Sequence, residues 1–303
     1  AAILAQMAQS GAPELHQMTA AESRAMYRDL KPDIPLVDVY RVEDRSVPGP
    51  AGEIPVRIYW PTAAPAAIHV HFHGGGWVIG DLETHDADCR EICRGAACIV
   101  VAVDYRLAPE HIFPAALEDC YAVTCWASEN SAELGALSSP VSVGGDSAGG
   151  NLAASVCFLA RDRAGPNIAM QLLIYPVTDA TMESASYRDN ADGYLLSRKM
   201  MAWFWDHYCP DPAQRSDPLA SPIRAADLSG LPPALVMTAE FDPLRDEGEA
   251  YAERLKAAGV AVQVRRFDGL IHGFFSQAGM IEAAREGVDL AVKALREAHK
   301  ISG

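Results

Sequence analysis

The sequence predicts an α/β protein: a mostly parallel central sheet flanked by helices, with an insertion between two of its later strands. Three observations predict this. From about residue 54 onward, short apolar runs alternate with helix-length segments, a rhythm that builds strand–helix–strand units and therefore parallel strands. One run, residues 98–103, is apolar without a break, as a strand covered on both faces must be. Between residues 176 and 233 the rhythm stops, then resumes, as it would around an insertion. A length of 303 residues, half of them hydrophobic, suits one large domain interrupted in this way.

Taken in order, residues 1–45 read as helical and amphipathic, broken by Pro13, Pro32 and Pro35. They precede the first strand signal and are expected to pack apart from the main sheet. Residues 54–60 alternate as a strand does. A second strand, 67–72, runs straight into His73-Gly74-Gly75-Gly76-Trp77. Residues 84–96 read as a helix, 98–103 as the doubly covered strand, and 114–128 as a helix with Pro114 in its first turn. A strand at 141–143 leads through a glycine-rich turn into a helix at 148–161, and another strand follows at 170–175. The interrupted stretch 176–233 holds an aromatic helix at 200–208 between Asp, Pro and Ser turns. Strands resume at 234–238 and 260–267, followed by helices at 246–258 and 280–299. The expected division is 46–175 with 234–303 for the α/β domain, with 1–45 before it and 176–233 inserted into it.

Composition narrows the function. A net charge of -15 argues against a nucleic-acid partner, whose phosphates would be repelled. No apolar run approaches the ~20 residues needed to span a bilayer. Residues 1–30 lack a basic segment followed by an apolar block, because Glu14, Glu22, Arg24 and Arg28 interrupt it, so no secretory leader is expected. Seven cysteines are present without a C-x-x-C pair. Cys89 and Cys93 lie one helical turn apart, and Cys98, Cys120, Cys125 and Cys157 fall in apolar patterns; all are read as reduced core residues, which favours the cytoplasm. His85, His111 and His207 are not spaced as metal ligands, and neither metal nor cofactor is expected.

In parallel sheets, functional groups gather past the C-terminal ends of strands. Four such ends carry a signal here. Past 67–72 comes the glycine run. Past 141–143 comes Gly145-Asp146-Ser147-Ala148-Gly149, a G-x-S-x-G. Past 234–238 comes Asp242-Pro243, and past 260–267 comes His272-Gly273-Phe274. By itself G-x-S-x-G can be an ordinary glycine-rich turn. It is no dinucleotide loop, because Asp146 stands where a glycine should, and no Lys-Ser follows to make a phosphate loop. The order Ser147, Asp242, His272 decides the reading, since it is the chain order of an α/β-hydrolase triad.

Each residue type suits its place. A serine hydroxyl is a poor nucleophile without a base. Imidazole can take its proton and return it to a leaving alcohol, and a carboxylate at Asp242 would hold the ring in one tautomer. Backbone N–H groups can surround an ester oxygen only where no Cβ blocks the approach. Gly75, Gly76 and Ala148 are the expected oxyanion donors, with Gly74 allowing the turn. His73, Asp104, Arg106, Glu110 and Asp146 are read as braces, His71 as a strand residue of the core or edge, and Asp246 as a helix cap. Trp203, Phe204 and Trp205 are adjacent, face different ways, and are read mainly as packing within the inserted segment.

These motifs resemble the hormone-sensitive-lipase family of α/β-hydrolase esterases. The resemblance runs through His73-Gly74-Gly75-Gly76-Trp77, Asp104-Tyr105-Arg106-Leu107-Ala108-Pro109-Glu110 and Gly145-Asp146-Ser147-Ala148-Gly149. It continues through Tyr175-Pro176 with Asp179, Asp242-Pro243-Leu244-Arg245-Asp246 and His272-Gly273-Phe274, and covers most of the chain from about Val56. It implies the α/β-hydrolase fold, with residues 1–45 as the N-terminal helical part of the family's cap and 176–233 as its cap insertion, and a serine carboxylesterase acting on small-molecule esters with short or medium acyl chains. It also implies pairing into a homodimer through the edge strand beside the C-terminal helix. Two other readings compete. Relatives that have lost the histidine only bind ligands, but His272 stands beside an intact Ser147 and Asp242. The same machinery could cleave an amide, although no propeller domain of a peptidase is visible.

Overall fold

The computed structural model describes residues 13–30, 35–65, 67–136 and 140–301. Eight strands form within them: β1 (Arg41–Gly49), β2 (Gly52–Trp60), β3 (Ile68–Phe72), β4 (Ile99–Val103), β5 (Val141–Asp146), β6 (Ile168–Ile174), β7 (Ala234–Phe241) and β8 (Val262–Ile271). The helices among these residues are α1 (Ala20–Asp29), α2 (Asp86–Ala96), α3 (Ala115–Glu129), α4 (Ser131–Leu134), α5 (Ala148–Asp162), α6 (Ala185–Asp189), α7 (Arg198–Tyr208), α8 (Arg245–Ala257) and α9 (Glu282–Ala298).

The strands make one sheet in the order β1-β2-β4-β3-β5-β6-β7-β8. β1 and β2 are antiparallel, as are β2 and β4; every pair from β4 to β8 is parallel. Alternation along the strands splits the core into two layers. Ile99, Val101 and Val103 of β4 face one layer with Leu117 of α3, Leu152 and Val156 of α5 and Leu255 of α8. Val100 and Ala102 face the other, with Ile92 and Cys93 of α2 and Val288 and Leu295 of α9. Helices on both faces are what the unbroken apolar run of β4 required.

One strand escaped the sequence reading. Residues 1–45 were expected to be helical, yet β1 begins at Arg41 and pairs along its whole length with β2. Its first five residues are Arg41, Val42, Glu43, Asp44 and Arg45, only Val47 among the nine is buried, and Pro48 breaks the pattern. Charges and a proline belong on an edge strand, where they block further pairing, and they hide the alternation that marks a strand. Arg41 stacks its guanidinium 3.8 Å above the Trp60 ring, and Arg57 pairs with Asp44. Of the expected N-terminal helix, α1 and a short turn at Leu15–Gln17 are described; residues 1–12 and 31–34, including Pro32, lie outside the described residues.

Between β6 and β7 the chain forms α6, α7 and two short turns, with no strand among the described residues. α7 packs against the Leu15–Gln17 turn. No helix among the described residues is long and apolar enough to cross a membrane.

Candidate active site

β3 and β5 are hydrogen-bonded neighbours at the middle of the sheet, and their ends carry the two glycine-rich turns. β5 ends at Asp146 and α5 begins at Ala148, so the whole reversal falls on Ser147. Its backbone sits at φ 55 and ψ −116, a region that side chains rarely tolerate. The turn is wedged against the end of β3: a Cβ on Gly149 would overlap the Phe72 carbonyl oxygen, which is why only glycine fits there. Ser147 is buried, 6% exposed, at the N-terminus of a fifteen-residue helix whose dipole favours negative charge.

The strand ends β7 and β8 bring the other two residues to the same point. The Ser147 hydroxyl lies 3.0 Å from His272 Nε2, and His272 Nδ1 lies 2.7 Å from Asp242 Oδ2. An ionised carboxylate only accepts, so Nδ1 carries the proton and Nε2 is left free to accept from the serine. The second oxygen of Asp242 accepts from the Leu244 N–H at 2.9 Å, which fixes the rotation of the carboxylate. Asp242 is fully buried. Tyr175, at φ 35, lays its ring 4.6 Å from that of His272.

The glycine run folds into a tight turn after β3. Gly75, Gly76 and Trp77 have φ of 110, 58 and 60 in succession. The N–H groups of Val78 and Ile79 both donate to the Gly75 carbonyl, at 3.1 and 2.9 Å. A Cβ on Gly76 would overlap the ring of Phe204 from α7. Trp77 is fully buried and stacks on Tyr208, with ring centroids 4.1 Å apart.

Behind the serine lies a polar brace. Asp146 Oδ1 accepts from the Gly74 N–H at 2.8 Å, and His85 Nε2 lies 3.3 Å from the same oxygen. Burial opposes the charge on Asp146, but the facing His85 overrides it and holds the carboxyl down at about 2. Burial likewise opposes the charge on His85, and the Asp146 carboxylate wins, raising it. His73 and His71 have no such partner, and burial pushes them down to about 3 and about 4, so both are neutral. His73 contacts the Gly74 carbonyl at 2.7 Å and stacks on Tyr105, as a brace of this loop should. His71 is buried in the core.

The sequence-predicted residues are thus distributed as follows. Ser147, Asp242 and His272 converge, and the glycine run lies across from Ala148 on the adjoining strand end. Arg106 pairs with Asp119, and Glu110 pairs with Arg24, both as braces. Asp246 does not cap α8; it accepts from the Ser186 N–H at 2.7 Å and pairs with Arg245. Phe204 and Trp205 are buried; Phe204 sits on Gly76, and the Trp205 ring lies 4.8 Å from that of Trp77 at the end of the same turn.

Several supports were invisible in the sequence. Asn190 donates to the Asp242 carbonyl at 3.2 Å, and Ser186 donates to the Pro243 carbonyl at 2.6 Å. Glu247 accepts from the N–H of Thr178 and Asp179, and burial holds its carboxyl well above the usual range. Asn151 donates to the carbonyls of Val177 and Ala220. Each is a long-range contact to backbone, which leaves no periodic mark; Asn151, two positions past the serine motif, was the one with a positional cue.

A family model described as the alpha/beta hydrolase fold matches residues 69–276. A carboxylic ester hydrolase, LipN, of Mycobacterium tuberculosis is 50% identical over 262 residues, covering 84% of this chain and 70% of its own length. An ethyl acetate hydrolase of Pseudomonas putida is 40% identical over 251 residues, 80% of this chain and 78% of its own. Among solved structures, a thermostable esterase from Pseudomonas putida ECU1011 superposes with a TM-score of 0.95 at 38% identity, covering 99% of this chain and 97% of that one. With the matched span taking in both glycine turns, the serine, the aspartate and the histidine, the chain belongs to the α/β hydrolase family, in its hormone-sensitive-lipase branch.

Proposed function

We propose that this carboxylic ester hydrolase works through an acyl-enzyme formed on Ser147, and that its substrates are small esters with short to medium acyl chains. Ser147 Oγ attacks the ester carbonyl while its proton passes to His272 Nε2. The N–H groups of Gly75, Gly76 and Ala148 hold the resulting oxyanion, worth on the order of 3–4 kcal/mol for each donor. His272 then protonates the leaving alcohol, and the C–O bond breaks to leave the acyl-serine. Water, losing a proton to His272, attacks the acyl carbon; collapse returns that proton to Ser147 and releases the acid. Asp242 keeps the ring oriented and stabilises its charged form.

The observation that carries this reading is the relay itself: 3.0 Å from hydroxyl to imidazole and 2.7 Å from imidazole to a buried carboxylate. The short acyl range is supported by the cap. Phe204 sits on Gly76, and Leu195 sits on Gly273 beside the histidine, so a long chain has little room there. The relative named an ethyl acetate hydrolase agrees with it. We read the N-terminal segment and residues 176–233 as one cap, since α7 packs on the Leu15–Gln17 turn. Seven free cysteines and the acidic charge favour the cytoplasm.

The test is a p-nitrophenyl ester series from acetate to palmitate with Ser147→Ala beside the wild type. Turnover should be lost in the variant, the wild type should show a burst of nitrophenol, and kcat/KM should peak at or below about eight carbons. Ester hydrolysis at the wild-type rate by Ser147→Ala would overturn the mechanism, and a maximum at palmitate would overturn the acyl range.

A further inference from the structure

We propose that Arg24, on α1, is a positioning residue that sets the direction of the oxyanion donors from outside the α/β domain. The proposal rests on the assignment of Gly75 and Gly76 as donors made above. The Gly75 carbonyl and the Gly76 N–H belong to one planar trans peptide, so they point to opposite sides of it. Whatever fixes the carbonyl therefore fixes the N–H. The carbonyl is fixed by the N–H groups of Val78 and Ile79. The direction of the donor thus depends on where Val78 and Ile79 are held.

That turn needs holding. Three successive residues have positive φ, and the third is Trp77, for which the left-handed region is unfavourable. Arg24 supplies a fastening. Its Nε donates to the Val78 carbonyl at 2.8 Å, and its Nη2 donates to the Ala108 carbonyl, also at 2.8 Å. Both Nη groups pair with the two Glu110 oxygens, at 2.9 and 2.6 Å. Ala108 in turn donates its N–H to the Trp77 carbonyl at 2.9 Å. The guanidinium therefore joins the trailing side of the oxyanion turn to the 107–110 loop, using the fixed planar fork that a lysine lacks. One helical turn along, Arg28 hydrogen-bonds Asp81, whose carboxylate also accepts from the Thr84 N–H. α1 thus grips both ends of residues 78–81.

Donors that act on the oxyanion stabilise the transition state more than the bound ester, so loosening them lowers kcat with little change in KM. The experiment compares wild type, Arg24→Met and Arg24→Lys on p-nitrophenyl acetate. Inhibition by a trifluoromethyl ketone, which adds to the serine as a tetrahedral oxyanion, is measured in parallel. Arg24→Met should lose 10- to 100-fold in kcat, keep KM within about twofold, and bind the ketone more weakly by a similar factor. A folded Arg24→Met with wild-type kcat, or one that loses only KM, overturns the proposal. Where that variant does not fold, Arg24→Lys decides: reduced kcat at constant KM supports it, and wild-type kcat overturns it. Ser147→Ala separates the two claims. If it stays active the mechanism fails; if it is dead while Arg24 variants are unimpaired, only this inference fails.

Discussion

Asp242 does two jobs with two oxygens, and the division makes its chemistry separable from its structural part. One oxygen faces His272 Nδ1 and the other accepts from Leu244. Asp242→Asn keeps an acceptor for Leu244 but can present an amide N–H to the imidazole, which would then favour the tautomer that cannot accept from Ser147. The expected loss in kcat is about 10⁴-fold, with a melting temperature close to the wild type. Steady-state kinetics and a thermal melt on one preparation check it; a loss of tenfold or less would mean that the ring needs no fixed tautomer. At this scale the site was largely legible in the sequence. Ser147, Asp242 and His272 each stand directly past a strand, where backbone geometry leaves few alternatives. Asp246 was misread because a carboxylate at the start of a helix usually caps it; here Ser186, sixty positions earlier, offers a better-placed N–H.

The elements that matter most are the two glycine turns and the helices that press on them. Gly76 is the position where this turn meets α7. An added methyl would overlap the Phe204 ring while the backbone stays at φ 58, so Gly76→Ala must displace either α7 or the Gly76 backbone. A fall in kcat of about 10²–10³-fold is expected, and Gly76→Ala combined with Phe204→Ala should recover part of it. Kinetics of the single and double variants measure the coupling; no recovery would show that the backbone conformation, rather than the ring, sets the loss. Strands and helices buried on both sides announced themselves by unbroken or periodic apolar residues. β1 did not, because an edge strand with one buried side chain has little to alternate. The contact of α1 with the turn after β3 was equally hidden, since Arg24 looks like any surface arginine until its acceptors are known.

At the scale of the whole molecule, the buried acids give stability a legible pH dependence. Asp88, on α2, is buried among His85, Asp146, Glu91 and Ser276, and burial pushes its carboxyl up to about 6. The folded chain therefore holds this proton more tightly than the unfolded chain does. As pH rises from about 4 to about 6 the unfolded carboxyl ionises first, so this group makes the fold progressively less stable, and above that range its full cost remains. Asp146 acts in the opposite sense, but between about 2 and its ordinary value of 3.8. Asp88→Asn should lessen the fall between pH 4 and 6, leaving the share of Glu247, whose buried carboxyl is raised in the same sense, and should raise stability at pH 7 by up to ~3 kcal/mol. Urea melts across that range test this, and parallel curves for variant and wild type would refute it. A further consequence follows from the spacing of the relay, in which hydroxyl and imidazole are 125 positions apart. During synthesis the serine leaves the ribosome well ahead of its base, by roughly 6 to 25 s at ordinary elongation rates. A chain cut short by a premature stop before His272 carries the hydroxyl without the imidazole that faces it, and so cannot form the relay at all.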